Sequence, residues 1–176
     1  ILPLAEANYF PLRDFDVAEP VIGAKSALLF DTRSGKSLYQ KDAHSQLPIA
    51  SLTKLMTALV VIENYDLDDV LTVLPAALTR EGERGVLRPY EKITARSLLA
   101  MMLVESSNDA AIVLAQNLPD KMEKNPANSF SDFVNLMNQK AWELELRYTH
   151  FDNPDGLDSS THYSTVFDLS NLFRYL

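Results

Sequence analysis

The sequence predicts an α+β fold in which helices pack on an antiparallel sheet. Three observations carry this expectation. Two short β-like segments come first, joined by a glycine-containing turn. Helical segments then dominate, and one of them, Ser51 to Asn64, is apolar on nearly every side. A helix of that kind belongs inside a domain. Of the 176 residues, 47% are hydrophobic and 23% charged, a globular balance that excludes a disordered chain. The length suits one domain with a substantial core.

In chain order, residues 1–19 read as an extended N-terminal segment. It opens Ile1-Leu2-Pro3-Leu4-Ala5-Glu6-Ala7, which fits the tail of a signal peptide or an arbitrary chain boundary. Ser26 to Asp31 and Ser37 to Lys41 are strands of a hairpin turned by Thr32-Arg33-Ser34-Gly35-Lys36. Beyond Pro48 comes the apolar helix, then a short strand over Val70 to Val73. Thr94 caps a helix running through Leu103. Glu105-Ser106-Ser107-Asn108 breaks it, and helix resumes over Asp109 to Asn117. Ser129 to Leu146 is a longer amphipathic helix, with Trp142 assigned to the core. Tyr148 to Thr165 is mostly loop, marked by Asn153-Pro154-Asp155-Gly156. Ser164 to Leu176 is again an amphipathic helix. It stops on an uncapped apolar turn, which points to a longer protein.

Charge and composition exclude several functions. With 16 Lys+Arg and 24 Asp+Glu the net charge is −8, and an isoelectric point near 4.8 argues against nucleic-acid binding. The longest apolar run, Leu55 to Ile62, is interrupted only by Thr57 and falls short of the ~20 residues of a membrane span. Cysteine is absent, so thiol catalysis and disulfides are excluded. His44 and His162 lack metal-ligand spacing, His150 reads as structural, and the carboxylates of Asp66–Asp69 and Glu81–Glu83 read as solvated surface.

Chemistry enters at Ser51 and Lys54. A Ser-x-x-Lys pair is cheap: with 14 Ser and 8 Lys, roughly 0.6 such pairs are expected by chance. Ser51 as a helix cap is the plain alternative, but a cap favours Glu or Gln three residues on, and Lys is the wrong charge for a helix N-terminus. Residues three apart share a helix face, so hydroxyl and amine can touch. A free lysine, with a pKa near ~10.4, is almost wholly charged at neutral pH. Burial and the helix N-terminus both disfavour the ammonium, and the free amine becomes a base for the serine proton. A lysine that snorkels to water is the competing account. Ser106 and Asn108 sit in a short loop between two apolar helices. They read either as caps or as a proton-relaying hydroxyl and an amide that holds a peptide group.

Together, PIASLTKLMTALVVIE and VESSNDAAIVLA resemble the low-molecular-weight penicillin-binding proteins, the serine D-alanyl-D-alanine carboxypeptidases. ALLFDTRSGKSLYQKDA resembles that family's opening strands, and THFDNPDGLDSSTHYSTVFDLSNL its downstream loop and helix, so the likeness runs from about Pro20 to the end. It implies the fold shared by β-lactamases and these transpeptidases, with residues 20–176 the N-terminal part of the catalytic domain. It further implies that Ser51 is the acylated nucleophile and Lys54 its base. Ser106 would relay protons, Asn108 would bind substrate, and the Ser51 N–H would be half of an oxyanion hole. The implied substrate is the terminal D-Ala–D-Ala of peptidoglycan stem peptides, β-lactams are mimics of it, and neither metal nor cofactor is needed. The implied location is the periplasm or outer envelope, reached through a signal peptide not fully present, with peripheral membrane association possible through a C-terminal region beyond these residues.

The family's third motif, Lys-Thr-Gly, is missing. Arg33-Ser34-Gly35 is the nearest match, but it lies ahead of the nucleophile in a hairpin turn, where glycine serves turn geometry. Other readings are a DD-endopeptidase acting on cross-links, a non-catalytic muropeptide-binding envelope protein, and a class A β-lactamase. The last is disfavoured by Ser-Ser-Asn in place of Ser-Asp-Asn. The gene is expected to continue past Leu176 to a strand bearing Lys-Thr-Gly, which reading it checks. These 176 residues alone are expected to be inactive and poorly folded, and normal acylation of the isolated stretch by labelled penicillin would contradict that.

Overall fold

A computed structural model describes residues 11–79, 86–118 and 129–176. The expected signal-peptide remnant at Ala5-Glu6-Ala7 and the carboxylates of Glu81–Glu83 therefore lie outside the described residues. The architecture is α+β. Residues 11–25 carry neither helix nor strand, and Leu12, Phe15 and Val21 in that stretch are exposed.

Strands β1 (Ala27–Phe30) and β2 (Ser37–Lys41) pair antiparallel, Ala27 opposite Lys41 and Leu29 opposite Tyr39, with a register shift at Phe30. Asp31 shapes the turn by accepting hydrogen bonds from the Ser34 amide and hydroxyl, and Gly35 takes φ +69°. Arg33-Ser34-Gly35 is thus turn chemistry, at a position where a left-handed residue is needed.

Helix α1 (Thr53–Asn64) is buried almost all round, from Thr53 through Val61 with only Leu55 partly open. The remaining elements assemble about it. β3 (Val70–Thr72) pairs antiparallel with β4 (Lys92–Thr94), a second two-stranded sheet. β4 escapes a reading by hydropathy because Ile93 is its one apolar residue and Thr94 already signals a helix start. Thr94 does cap α2 (Ala95–Val104), its hydroxyl accepting from the Ser97 amide. α3 (Asn108–Gln116) follows, its first eight residues all buried. Asn117 closes it by pairing with both backbone groups of Thr72, at 3.2 and 3.1 Å, which ties the helix to the small sheet.

α4 (Ser129–Glu143) buries Ser129, Phe133, Met137 and Ala141, a stripe at four-residue spacing. Trp142 follows that stripe by one residue, about 100° round the helix, and is 81% exposed. Its expected place in the core is therefore wrong. An amphipathic helix has room for one stripe, and the smaller Ala141 holds it. Lys140 on the same helix pairs with Glu63 of α1 at 2.7 Å and with Glu143 at 2.8 Å. α5 (Val166–Tyr175) starts at a Thr165 cap, buries Leu169 and Leu172, and lies on β1.

Helices α1 to α4 and the loop around Phe151 share one core. Among the described residues no helix is long and apolar enough to cross a membrane. Phe133 is fully buried in the α4 stripe, and in the native protein Phe133→Ala is expected to lower unfolding free energy by about 3–5 kcal/mol, measured by urea denaturation.

Candidate active site

Three stretches far apart in sequence meet at the start of α1. The first is α1's own leading turn. Ala50–Leu52 form one turn of 3-10 helix, and neither Ile49 nor Leu52 caps with a side chain. The cap reading of Ser51 fails on this geometry, because its hydroxyl is engaged elsewhere: Lys54 Nζ lies 3.1 Å away and Ser106 Oγ 2.9 Å. Ala50, just before it, takes φ +45°, a left-handed conformation that an alanine adopts only under constraint.

The second stretch joins α2 to α3. Ser106 has φ +56°, which ends α2, and Ser107 then caps α3 by accepting from the Ala110 amide at 3.2 Å. The cap reading therefore belongs to Ser107. Ser106 and Asn108, on either side of it, turn their side chains to Lys54 at 3.3 and 2.7 Å.

The third stretch is the Asn153-Pro154-Asp155-Gly156 turn. Asn153 closes it, accepting from the Gly156 amide at 2.7 Å and donating to the Leu157 carbonyl at 2.8 Å. Thr57 of α1 donates to the Pro154 carbonyl at 2.7 Å, strapping the turn to the helix. Lys54 Nζ reaches the Asp155 carbonyl at 2.9 Å. Gly156 has φ +88°, and a Cβ there would stand 2.1 Å from the Ala50 carbonyl oxygen. Only glycine lets the turn approach so closely.

Lys54 is 3% exposed, so the snorkelling account fails. Burial holds its amine below the ordinary lysine value, and the nearby Asp155 carboxylate partly opposes that shift. The four oxygens around Nζ are not equivalent. The Asn108 Oδ1 and the Asp155 carbonyl can only accept. A neutral amine has two N–H groups and one lone pair. The two acceptors take the hydrogens, which leaves the lone pair for the Ser51 and Ser106 hydroxyls. That arrangement can receive a proton from a serine.

Ser51 itself is exposed, at the edge of an open cleft of about 410 Å³ lined by Leu52, Leu55, Met102, Leu103, Ser106 and Phe173. Behind the site lies His162, 3% exposed. Its Nε2 is 2.7 Å from Thr53 Oγ1, and its Nδ1 accepts the Asp152 amide at 3.1 Å. Burial lowers its pKa, opposed by Asp152 and Asp155. His150, on the surface, serves the loop: it exchanges backbone hydrogen bonds with Tyr163 and sets Nδ1 2.8 Å from the Thr161 carbonyl. Among the described residues no three His, Asp or Glu side chains gather closely enough to hold a metal.

Ser51, Lys54, Ser106 and Asn108 therefore stand in one hydrogen-bonded group. Thr53, Asp155, Gly156 and His162 also belong to the site, although the sequence named His162 only as lacking metal-ligand spacing and Asp155 and Gly156 only as part of a turn, and gave Thr53 no role. Asn-Pro-Asp-Gly was visible as a turn, but nothing in its composition says what it packs against.

The fold is shared with solved DD-peptidases and transpeptidases. The Streptomyces K15 DD-transpeptidase superposes with a TM-score of 0.83 at 32% identity, over 90% of this chain and 62% of that one. The D-alanyl-D-alanine carboxypeptidase DacD from Francisella tularensis gives 0.80 at 29% identity, over 94% and 40%. The chain belongs to the D-alanyl-D-alanine carboxypeptidase family, which it matches over residues 13–176. It is 34% identical to the D-alanyl-D-alanine carboxypeptidase DacF of Bacillus subtilis over 158 residues, 87% of this chain and 39% of that protein. It is 40% identical to a D-alanyl-D-alanine endopeptidase of Pseudomonas aeruginosa over 156 residues, 86% and 46%. The chain thus spans less than half the length of these two relatives.

In the native protein Gly156→Ala is expected to cost about 1–3 kcal/mol, since backbone must move and φ is positive, and to loosen Lys54 with it. Thermal unfolding monitored by circular dichroism checks this, and an unchanged melting temperature would show the close approach to be unimportant.

Proposed function

We propose that this chain carries the nucleophile and general base of a serine-type D-alanyl-D-alanine carboxypeptidase. The observation that carries the reading is the amine of Lys54, buried and held by Asn108 Oδ1 and the Asp155 carbonyl, with Ser51 Oγ 3.1 Å away.

In this reading Lys54 takes the Ser51 proton as Oγ attacks the carbonyl carbon of the terminal D-Ala–D-Ala bond. Negative charge grows on the carbonyl oxygen, where the Ser51 N–H and the positive end of α1 stabilise it. Ser106, 2.9 Å from Ser51, passes the proton to the departing D-alanine nitrogen. Asn108 Nδ2 donates to a substrate carbonyl while its Oδ1 stays on Lys54. Water then attacks the ester, Lys54 again receives a proton, and Ser51 is regenerated. A β-lactam acylates the same hydroxyl, because its strained amide presents the same carbonyl. Peptidoglycan lies outside the cytoplasm, so the reaction belongs there.

The test is peptide mapping of the native protein, isolated as the cell makes it, after exposure to labelled penicillin. The label is expected on Ser51 and absent from Ser51→Ala. Free D-alanine released from a pentapeptide stem supports the carboxypeptidase. Cleavage of cross-linked dimers without D-alanine release would support the endopeptidase reading, which the Pseudomonas relative favours. Acylation should also depend on pH in one direction. Lysine is a base only when deprotonated, and burial sets its pKa below 10.5. The rate therefore falls as pH drops through that lowered value and levels off above it. Lys54→Arg, which stays charged, should lose about 10²–10⁴-fold with this limb abolished, read by stopped-flow acylation.

A further inference from the structure

The turn that carries Ser51 has few anchors of its own. No side chain caps it, and Ala50 before it is held at φ +45°. Its position relative to Lys54 must be set from outside. Thr53, the first residue of α1 and the neighbour of Lys54, is fully buried, and its hydroxyl meets His162 Nε2 at 2.7 Å.

The proton on that ring can be assigned from its partners. Nδ1 faces the Asp152 amide, a donor, so Nδ1 must accept. Nε2 then bears the hydrogen and donates to Thr53 Oγ1. Phe151 fixes the ring plane from one side, edge to face at 5.8 Å and 77°. Thr53 Oγ1 is also the atom that a Cβ on Gly156 would touch at 3.1 Å, so this hydroxyl lies against the segment whose Asp155 carbonyl holds Lys54. One ring therefore ties together the turn that presents the serine and the loop that orients the amine.

We propose that His162 is a positioning residue for acyl transfer, acting through Thr53 to set the separation of Ser51 and Lys54. It touches neither substrate nor reacting atom. The inference rests on the proposed roles of Ser51 and Lys54. A small displacement at such a pair is costly, because proton transfer and attack need both groups within hydrogen-bond reach.

Four single variants of the native protein separate positioning from simple support. Thr53→Val removes the hydroxyl at nearly constant shape, and Thr53→Ser keeps it. His162→Gln can place an amide N–H near the Nε2 position, whereas His162→Asn can serve only the Asp152 side. The measurement is penicillin acylation kinetics resolved into the dissociation constant of the initial complex and the first-order acylation rate. Thr53→Val and His162→Asn are expected to slow acylation by about 100-fold while leaving initial binding within about threefold. Thr53→Ser and His162→Gln should return the rate to within about fivefold of wild type. Wild-type acylation by folded Thr53→Val overturns the proposal, and this variant decides the matter if the His162 variants do not fold. Rates that follow only the melting temperatures of the four proteins also overturn it. Failure of the wild-type protein to label at Ser51 removes the proposed function and this inference with it, whereas normal labelling of Thr53→Val removes the inference alone.

Discussion

A lysine amine that is withdrawn from water and still fully supplied with hydrogen-bond partners is the constraint around which this chain is built. An ammonium in a dry interior is costly, and a buried amine without acceptors is costly too. Lys54 meets both demands by exchanging water for the Asn108 side chain and the Asp155 carbonyl. Those two groups come from positions 54 and 101 residues away along the chain, so the core must close before the amine has an environment at all.

The helices serve that closure. α1 is buried nearly all round because α2, α3 and α4 cover it, and the same covering dries the lysine. α2 ends at a left-handed Ser106 and α3 begins at a Ser107 cap, which turns Ser106 and Asn108 inward together. Two strained non-glycine residues belong to this region, Ala50 next to Ser51 and Ser106 within the group itself. Such conformations persist only where surrounding packing over-determines them. The Asn153–Gly156 turn, strapped through Thr57 and pressed on Ala50, supplies that determination at one side.

Much of this was legible one element at a time. Period and turn chemistry locate the first hairpin, α1, the broken helix at Ser106, α4 and α5, because each announces itself within a dozen residues. β4 did not, since three residues with one apolar side chain carry no period. Trp142 misled because a large aromatic on an amphipathic helix is usually core, and only the direction of the Ser129–Ala141 stripe shows that it faces out. Ser51, Lys54, Ser106 and Asn108 could be nominated from two short motifs set among matching flanks. Asp155, whose carbonyl holds Lys54, and His162, which reaches the group only through Thr53, could not, because a backbone carbonyl has no residue signature and a lone histidine in a loop has many uses.

The chain's own order of residues determined which segments become helix and strand, where each is capped or broken, and that one lysine would be carried on a helix with no wet face. These follow from interactions spanning a few residues, so they can be read locally. Tertiary structure alone decided which oxygens surround that amine, which tautomer His162 takes, and why position 156 has no room for a side chain. Each of those depends on atoms brought within about 3 Å from distant parts of the chain, and such meetings leave no trace in local sequence pattern.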